Sequence, residues 1–152
     1  MAIGDLEFEI EIAIKAAKSS GKLLVDSKNE LNDEISNNLR DTKLKADIDS
    51  ENLIKNHISQ NSKYPILAEE SGKSIEYLGD TYWVVDPLDG TANYNRDIPI
   101  CCVSIGLVHK EKPLAGVIYD FNNNDLYVGN NIKKVAMLND KQIYVSKINK
   151  KK

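Results

Sequence analysis

The N-terminal third of the chain carries the apolar pattern of amphipathic helices. Apolar residues recur every three or four positions through the first 24 residues, which predicts one long helix. A second helix is predicted to begin near Asp47, a helix-capping residue type, with Glu51 in its first turn and Ile54 and Ile58 on one stripe. The polar segment 29–41 between them, rich in Asn and Asp, predicts a loop. The repeating apolar positions of the first helix are Leu6, Ile10, Ala13, Ala17 and Leu24.

From residue 64 onward the pattern changes to short apolar runs separated by polar turns, which is typical of strands. The polar segments 109–113, 121–125 and 139–141 are predicted to be the connecting turns. Helices followed by mostly hairpin-linked strands predict an α+β fold, with layered helices packed on a mainly antiparallel sheet. The predicted strands are 64–68, 82–85, 102–108, 114–119, 126–128 and 143–145.

Composition and charge narrow the class of protein. A chain of 152 residues with 41% hydrophobic and 28% charged residues can bury the core of a soluble domain. A net charge of −3 argues against a nucleic-acid partner, and the basic run 150–152 is interpreted as a solvated tail. No apolar stretch reaches membrane-spanning length, so we expect a cytoplasmic protein with no membrane partner.

The two cysteines, Cys101 and Cys102, are adjacent and offer no loop-closing disulfide. In a strand their side chains face opposite ways, and we interpret them as small apolar fillers in a reducing cytoplasm. A redox pair is the alternative interpretation.

The segment 84–91 reads Val-Val-Asp-Pro-Leu-Asp-Gly-Thr and carries the most information. An apolar strand precedes it, so Asp86 is expected at the strand end, with Pro87 stopping the strand and forcing a turn. In such a turn the side chains of Asp86 and Asp89 and the carbonyl of Leu88 can converge. Three hard oxygen donors suit Mg²⁺ better than zinc.

Gly90 and Thr91 follow at the predicted start of a short helix. A glycine lets a phosphate approach the backbone, and the free N–H groups at a helix start bind anions. A divalent metal beside a phosphate-binding backbone segment, here called the phosphate cradle, is typical of a phosphatase active site. The alternative is an ordinary Asp-Pro turn in which Asp89 and Gly90 serve turn geometry alone.

Two further acidic positions are candidates for the same site. Glu69 and Glu70 end the strand that starts at residue 64, where paired carboxylates are costly to bury unless they hold a cation. A solvated turn is the alternative for this pair, and a simple helix cap is the alternative for Asp47.

Taken in order, Lys-Ala-Asp at 45–47, Glu-Glu-Ser at 69–71 and Asp-Pro-Leu-Asp-Gly-Thr at 86–91 resemble the inositol monophosphatase family. This family belongs to a lithium-sensitive, Mg²⁺-dependent phosphatase superfamily that includes fructose-1,6-bisphosphatase and the bisphosphate nucleotidases. The resemblance continues through Ile98-Pro99, 103–106 and 116–119. It implies the α+β fold of the family's N-terminal domain.

The resemblance also implies a ligand set for two or more Mg²⁺ ions. The implied ligands are the side chains of Glu69, Asp86 and Asp89 and the carbonyl of Leu88. Glu70 would orient Glu69 or a metal-bound water.

The remaining implied roles concern water and phosphate. Asp47 and Thr91 match the pair that orients and deprotonates the attacking water, and the N–H groups of Gly90 and Thr91 match the phosphate cradle. The implied reaction is in-line attack on a small phosphate monoester without a phosphoenzyme. The Asn93-Tyr94 step favours an inositol or sugar phosphate, and a bisphosphate nucleotidase or an archaeal-type fructose-1,6-bisphosphatase stays open.

Two departures from the family pattern shape the expected organisation. Trp83, the only tryptophan, precedes Val84, so the family's Trp-Asp motif, whose aspartate completes the metal site, is absent. Lys-Lys-Val-Ala at 133–136 stands where the family commonly has Gly-Lys-Gly-Ala. We therefore expect residues 1–152 to form one metal-binding N-terminal domain without the usual C-terminal domain.

Such a half would expose apolar surface and self-associate, or would join a missing domain or a partner chain. A non-catalytic metal-binding or association module is the alternative function.

Overall fold

Two long helices precede a run of strands in the computed structural model, which describes residues 3–33 and 39–146, with side chains at 5–28 and 45–146. The helices are α1 (Ile3–Asp33), α2 (Leu39–Asn61) and α3 (Thr91–Tyr94). The strands are β1 (Ile66–Ala68), β2 (Gly72–Lys73), β3 (Thr81–Asp89), β4 (Cys102–His109), β5 (Lys112–Asp120), β6 (Asp125–Asn130), β7 (Val135–Leu138) and β8 (Lys141–Ile143).

The first predicted helix is confirmed, and all five of its repeating apolar side chains are buried. The helix continues through Gly21, which lies against β5. A Cβ built on Gly21 would sit 2.6 Å from the ring of Tyr119, so a larger residue would push α1 away from the sheet. The glycine is therefore a point of close packing and not a break in the helix.

The loop predicted over 29–41 is wrong where the structure describes it. Residues 29–33 belong to α1 and residues 39–41 to α2, while residues 34–38 lie outside the described part. Consequently α2 begins at Leu39, and Asp47 lies in its interior instead of capping it. Local composition is a weak determinant here. A helix that is already stabilised by packing along the rest of its length gains one backbone hydrogen bond for each residue by which it extends.

The strands form one sheet in the order β2-β1-β3-β4-β5-β6-β7-β8. Strands β1 and β3 are parallel and the other neighbouring pairs are antiparallel, which confirms the predicted α+β class. The β4–β5 hairpin turns at Lys110 and Glu111, both with positive φ, as a two-residue turn that follows the sheet twist requires. This turn is shorter than the predicted segment 109–113.

Strand β7 was not predicted, because its apolar residues follow two lysines and alternate poorly. Its hairpin with β8 turns at Asn139 and Asp140, which have φ of 46° and 65°. The last strand therefore begins at Lys141, earlier than the predicted 143–145. The basic run 150–152 lies outside the described residues.

Both long helices pack on one face of the sheet, over a core that includes Trp83 and Ile105. The opposite face leaves Val84, Ile118 and Tyr127 between 38% and 44% exposed. No helix in the described ranges is long and apolar enough to cross a membrane. The fold places the carboxyl ends of β1 and β3 side by side next to α2.

Candidate active site

The parallel pairing of β1 and β3 brings Glu69 and Asp86 together. Ala68 lies opposite Val85, and both are buried. The residues that follow them, Glu69 and Asp86, therefore lie at the same level of the sheet. The Glu69 N–H donates to the Val85 carbonyl at 3.0 Å, which extends this alignment one step. The Glu69 carboxyl is close enough to contribute to raising the pKa of Asp86. Two positions predicted from separate motifs are therefore direct neighbours.

Pro87 does not end β3, and the predicted turn after Asp86 is wrong. The strand continues to Asp89, but the pairing shifts from Asp86 opposite Ser104 to Asp89 opposite Cys102. Such a bulge tolerates proline, because the extra residue makes no ladder hydrogen bond. The Leu88 N–H donates to Asp86 Oδ1 at 3.1 Å and holds the bulge closed.

Thr91 and the Leu88 carbonyl meet at the end of the bulge. The short helix predicted there is confirmed as α3, and Gly90 precedes it with φ of 91°. The Thr91 hydroxyl donates to the Leu88 carbonyl at 2.9 Å. A carbonyl oxygen has a second lone pair, so this bond leaves Leu88 able to bind a cation as well.

Asp47 projects from the interior of α2 and is buried, with its side-chain atom Oδ1 lacking any hydrogen-bond partner. Burial, followed by the nearby charges of Glu70, Glu69 and Glu51, raises its pKa to about 6. The structure therefore brings Asp47 to the same acidic cluster as the β1 turn. A buried carboxylate oxygen without a partner is costly, and a cation or water beside it would remove that cost.

Asp86 titrates near neutral pH. Burial raises its pKa to about 7, with further contributions from the nearby carboxyl groups of Glu69 and Asp89. Asp86 is thus partly protonated at neutral pH. A divalent cation would replace that proton and relieve the repulsion between the carboxylates.

Asp89 stands apart from this pair. It is exposed, and its Oδ2 lies 3.9 Å from the thiol of Cys102. Among the described side chains, no group of three or more His, Cys, Asp or Glu residues is already arranged to hold a metal.

The thiols near the site are held in the protonated form. Burial, followed by the charges of Asp89 and Asp86, raises the pKa of Cys102 to about 11. Burial also raises the pKa of Cys101, which is almost fully buried. A protonated thiol is a poor nucleophile, which favours the filler interpretation over the redox pair.

The donor chemistry fits Mg²⁺. The side chains of Glu69 and Asp86, the Leu88 carbonyl and the partnerless oxygen of Asp47 are all hard oxygen donors. The raised pKa values of Asp47 and Asp86 indicate a cluster that lacks positive charge. Both observations suit a divalent cation.

A cleft of about 470 Å³ opens beside Asp89 and Gly90. Asn93 of α3, Asp120 at the end of β5 and Asn123 of the β5–β6 turn add polar groups to its wall, which also contains apolar side chains. The cleft has room for a small polar molecule next to the predicted phosphate cradle.

Sequence reasoning missed two residues of α2 that contact the site. Glu51 accepts hydrogen bonds from the N–H groups of Glu70 and Ser71, and Ser50 donates to the Pro87 carbonyl. The placement of Glu51 in a first helical turn was wrong because α2 begins earlier. The available signal was spacing, since residues three and four positions after Asp47 share its helix face.

Comparisons with known proteins found similar sequences and similar solved structures. Residues 5–152 match the profile described as the inositol monophosphatase family. The chain is similar to inositol monophosphatase 3 of Solanum lycopersicum, at 33% identity over 147 residues covering 94% of this chain and 54% of the relative. It is also similar to the Nus factor SuhB of Xylella fastidiosa, at 34% identity covering 90% of this chain and 50% of the relative.

Among solved structures, the fold is similar to that of an inositol monophosphatase from Anabaena, with a TM-score of 0.80 and 34% identity. The match covers 95% of this chain and 52% of that one. The chain thus spans about half the length of the relatives that it matches.

Proposed function

Because the chain belongs to the inositol monophosphatase family, we propose that it takes part in Mg²⁺-dependent hydrolysis of a small phosphate monoester, either an inositol or a sugar phosphate. The observation that carries the proposal is the alignment of Glu69 with Asp86 at the adjacent ends of β1 and β3, together with the nearby buried Asp47 oxygen that has no hydrogen-bond partner. Since the chain spans about half of its relatives, we propose that it acts as the metal-holding half of such an enzyme.

In this proposal Glu69, Asp86, Asp89 and the Leu88 carbonyl hold two or more Mg²⁺ ions, and Glu70 orients Glu69 or a bound water. When bound, Mg²⁺ makes hydroxide available near neutral pH and stabilises the departing oxygen. The bulge and the parallel β1–β3 pair place these donors on two separate backbone segments.

Asp47 and Thr91 handle the attacking water. A carboxylate with a pKa of about 6 is mostly ionised at neutral pH and is a stronger base than an ordinary aspartate, so Asp47 Oδ1 is suited to accept a proton. The Thr91 hydroxyl, anchored on the Leu88 carbonyl, accepts a hydrogen bond from the same water and fixes its direction.

The phosphate group is held by the N–H groups of Gly90 and Thr91. The positive φ of Gly90 turns the backbone there, and the first N–H groups of a helix have no partner within it. The alcohol portion of the substrate occupies the cleft beside Asn93, where Asp120 and Asn123 also offer hydrogen-bonding groups to a polyol.

The test measures Mg²⁺-dependent phosphate release from inositol, sugar and nucleotide phosphates, with and without lithium. Asp89→Asn removes a proposed ligand, and Asp80→Asn is the matched control, because Asp80 is an exposed acid in a turn distant from the site. Changes to residues that merely orient ligands cost about 10- to 100-fold. Loss of Asp89 is expected to cost at least about 100-fold, and the control should cost nothing.

Calorimetric titration with Mg²⁺ separates the remaining outcomes. Mg²⁺ binding without phosphate release would identify a metal-holding half that needs further residues, supplied by a continuation of the chain, a partner or another copy. Binding that never supports hydrolysis, even after the C-terminal half of a relative is added, would favour the non-catalytic module. Absence of both binding and hydrolysis would overturn the proposed function.

A further inference from the structure

We propose that Glu51 is a positioning residue that holds the Glu69–Glu70 turn in the geometry needed for cation binding. The inference rests on the proposed function. It adds to the proposed site a residue that lies outside the motifs at 45–47, 69–71 and 86–91. Glu51 would not touch the metal or the substrate. It would act by fixing the backbone that carries Glu69 and Glu70.

Glu51 holds this turn with both carboxylate oxygens. Its Oε2 accepts the N–H of Glu70 at 2.9 Å, and its Oε1 accepts the N–H of Ser71 at 3.2 Å. The side chain is buried, at 3% exposure. Hydrogen bonds from two consecutive N–H groups to one buried carboxylate are stronger than neutral ones and fix the orientation of both peptide groups.

Lys55, in the next turn of α2, supports this contact, and we call Glu51 and Lys55 together the clamp. Its Nζ lies 3.7 Å from Glu51 Oε1 and donates to the Ser71 hydroxyl at 2.6 Å. The positive charge offsets part of the cost of burying Glu51 beside other acids. Lys55 therefore favours the rotamer of Glu51 that reaches the turn.

The preceding residue, Ser50, holds the other half of the site. Its hydroxyl donates to the Pro87 carbonyl at 3.1 Å inside the β3 bulge, and it is hydrogen-bonded to the buried Ser20 hydroxyl of α1. Two consecutive residues of one helix thus fasten the two segments that carry the proposed ligands. The distance between those segments is set by α2 as well as by the sheet.

The Glu69–Glu70 turn depends on this clamp because it has little packing of its own. Glu69 and Glu70 are both exposed, and the mutual repulsion of the acidic cluster favours their moving apart. Ligand side chains on a loosened turn bind a cation less tightly, since they must be ordered on binding. Loss of the clamp should therefore lower the affinity for Mg²⁺ more than it lowers the stability of the fold.

The experiment compares Glu51→Gln with the wild-type chain by Mg²⁺ titration calorimetry and thermal melting. Glutamine keeps the side-chain length but replaces one acceptor with a donor, so one N–H group of the turn loses its partner. Asp49→Asn is the matched control, because it removes one acidic charge from an exposed position of the same helix. Amide hydrogen exchange at Glu70 and Ser71 reports the turn directly.

We expect Glu51→Gln to bind Mg²⁺ about 10-fold more weakly or worse, with faster exchange at Glu70 and Ser71 and a cooperative melt. The control should bind as the wild type does. Unchanged Mg²⁺ affinity in a folded Glu51→Gln chain would overturn the inference, and so would a loss matched by the control. A purely structural role would lower the melting temperature without changing the affinity.

Two further arms keep the outcomes distinct. If Glu51→Gln does not fold, Lys55→Met removes only the outer part of the clamp, and a several-fold weaker Mg²⁺ affinity is expected; unchanged affinity would overturn the inference. If the wild-type chain binds no Mg²⁺, the proposed function fails, and exchange at Glu70 and Ser71 alone decides whether Glu51 holds the turn.

Discussion

Replacing Gly90 with alanine tests how tightly the backbone around the phosphate cradle is packed. Gly90 has φ of 91°, and a Cβ built there would lie 2.7 Å from the Ile100 carbonyl oxygen and 3.1 Å from Cys101 Cβ. A Cβ does not approach a backbone oxygen this closely, so either α3 or the segment before β4 must move. The perturbation therefore acts on the position of the cradle itself.

The expected cost has two parts. Holding alanine in a left-handed conformation costs about 1–2 kcal/mol, and displacing packed backbone costs about 1–3 kcal/mol. Gly90→Ala should thus lower the free energy of unfolding by about 2–5 kcal/mol. The displaced cradle should also reduce phosphate release wherever the chain supports it.

Gly79→Ala isolates the first part of this cost. Gly79 has φ of 70°, but nothing lies within 4 Å of a Cβ built there. Urea unfolding of both variants should therefore show a loss of about 1–2 kcal/mol for Gly79→Ala and a larger loss for Gly90→Ala. Equal losses in the two variants would refute the argument from close packing against Ile100.

Two other substitutions test separate parts of the fold. The Tyr94 hydroxyl, buried and with its pKa raised to about 12 chiefly by burial, donates to the Leu24 carbonyl of α1 at 2.8 Å. Tyr94→Phe should therefore cost about 1 kcal/mol in urea unfolding, and a neutral result would contradict that role. Burial raises the pKa of Glu9, whose Oε2 has no hydrogen-bond partner. Its ionisation opposes folding, so stability is greatest below the usual pKa of 4.5 and falls as the pH rises through the folded value. Glu9→Gln should raise the melting temperature at pH 8 relative to wild type, with a gain that shrinks toward pH 4; a pH-independent difference would exclude this cause.

The sequence was most informative where one local pattern dominates. The apolar stripe from Leu6 to Leu24 predicts α1, because residues on one face of a helix recur at a fixed spacing in the sequence. The β4–β5 hairpin follows from two apolar runs separated by a polar turn. The short helix at Thr91 follows from its glycine and the turn chemistry before it. These features depend on residues that lie close together along the chain.

Element boundaries and the bulge were not readable in the same way. The segment 29–41 has loop composition but is helical at both ends of the described part. Pro87 is a strand breaker by local rules, yet β3 continues past it because β4 supplies a partner on either side of the bulge. In both cases contacts with distant parts of the chain outweigh a local preference of about 1 kcal/mol or less per residue.

For the site, the sequence determined the chemistry and the tertiary structure decided the arrangement. The acidic motifs supply hard oxygen donors wherever the fold places them, because the kind of donor atom depends only on the side chain. Their meeting depends on the parallel pairing of β1 with β3, which puts Glu69 against Asp86. The role of Glu51 depends on α2 lying over that turn. Hydrogen bonds between segments distant in sequence are set by packing, so no local pattern contains them.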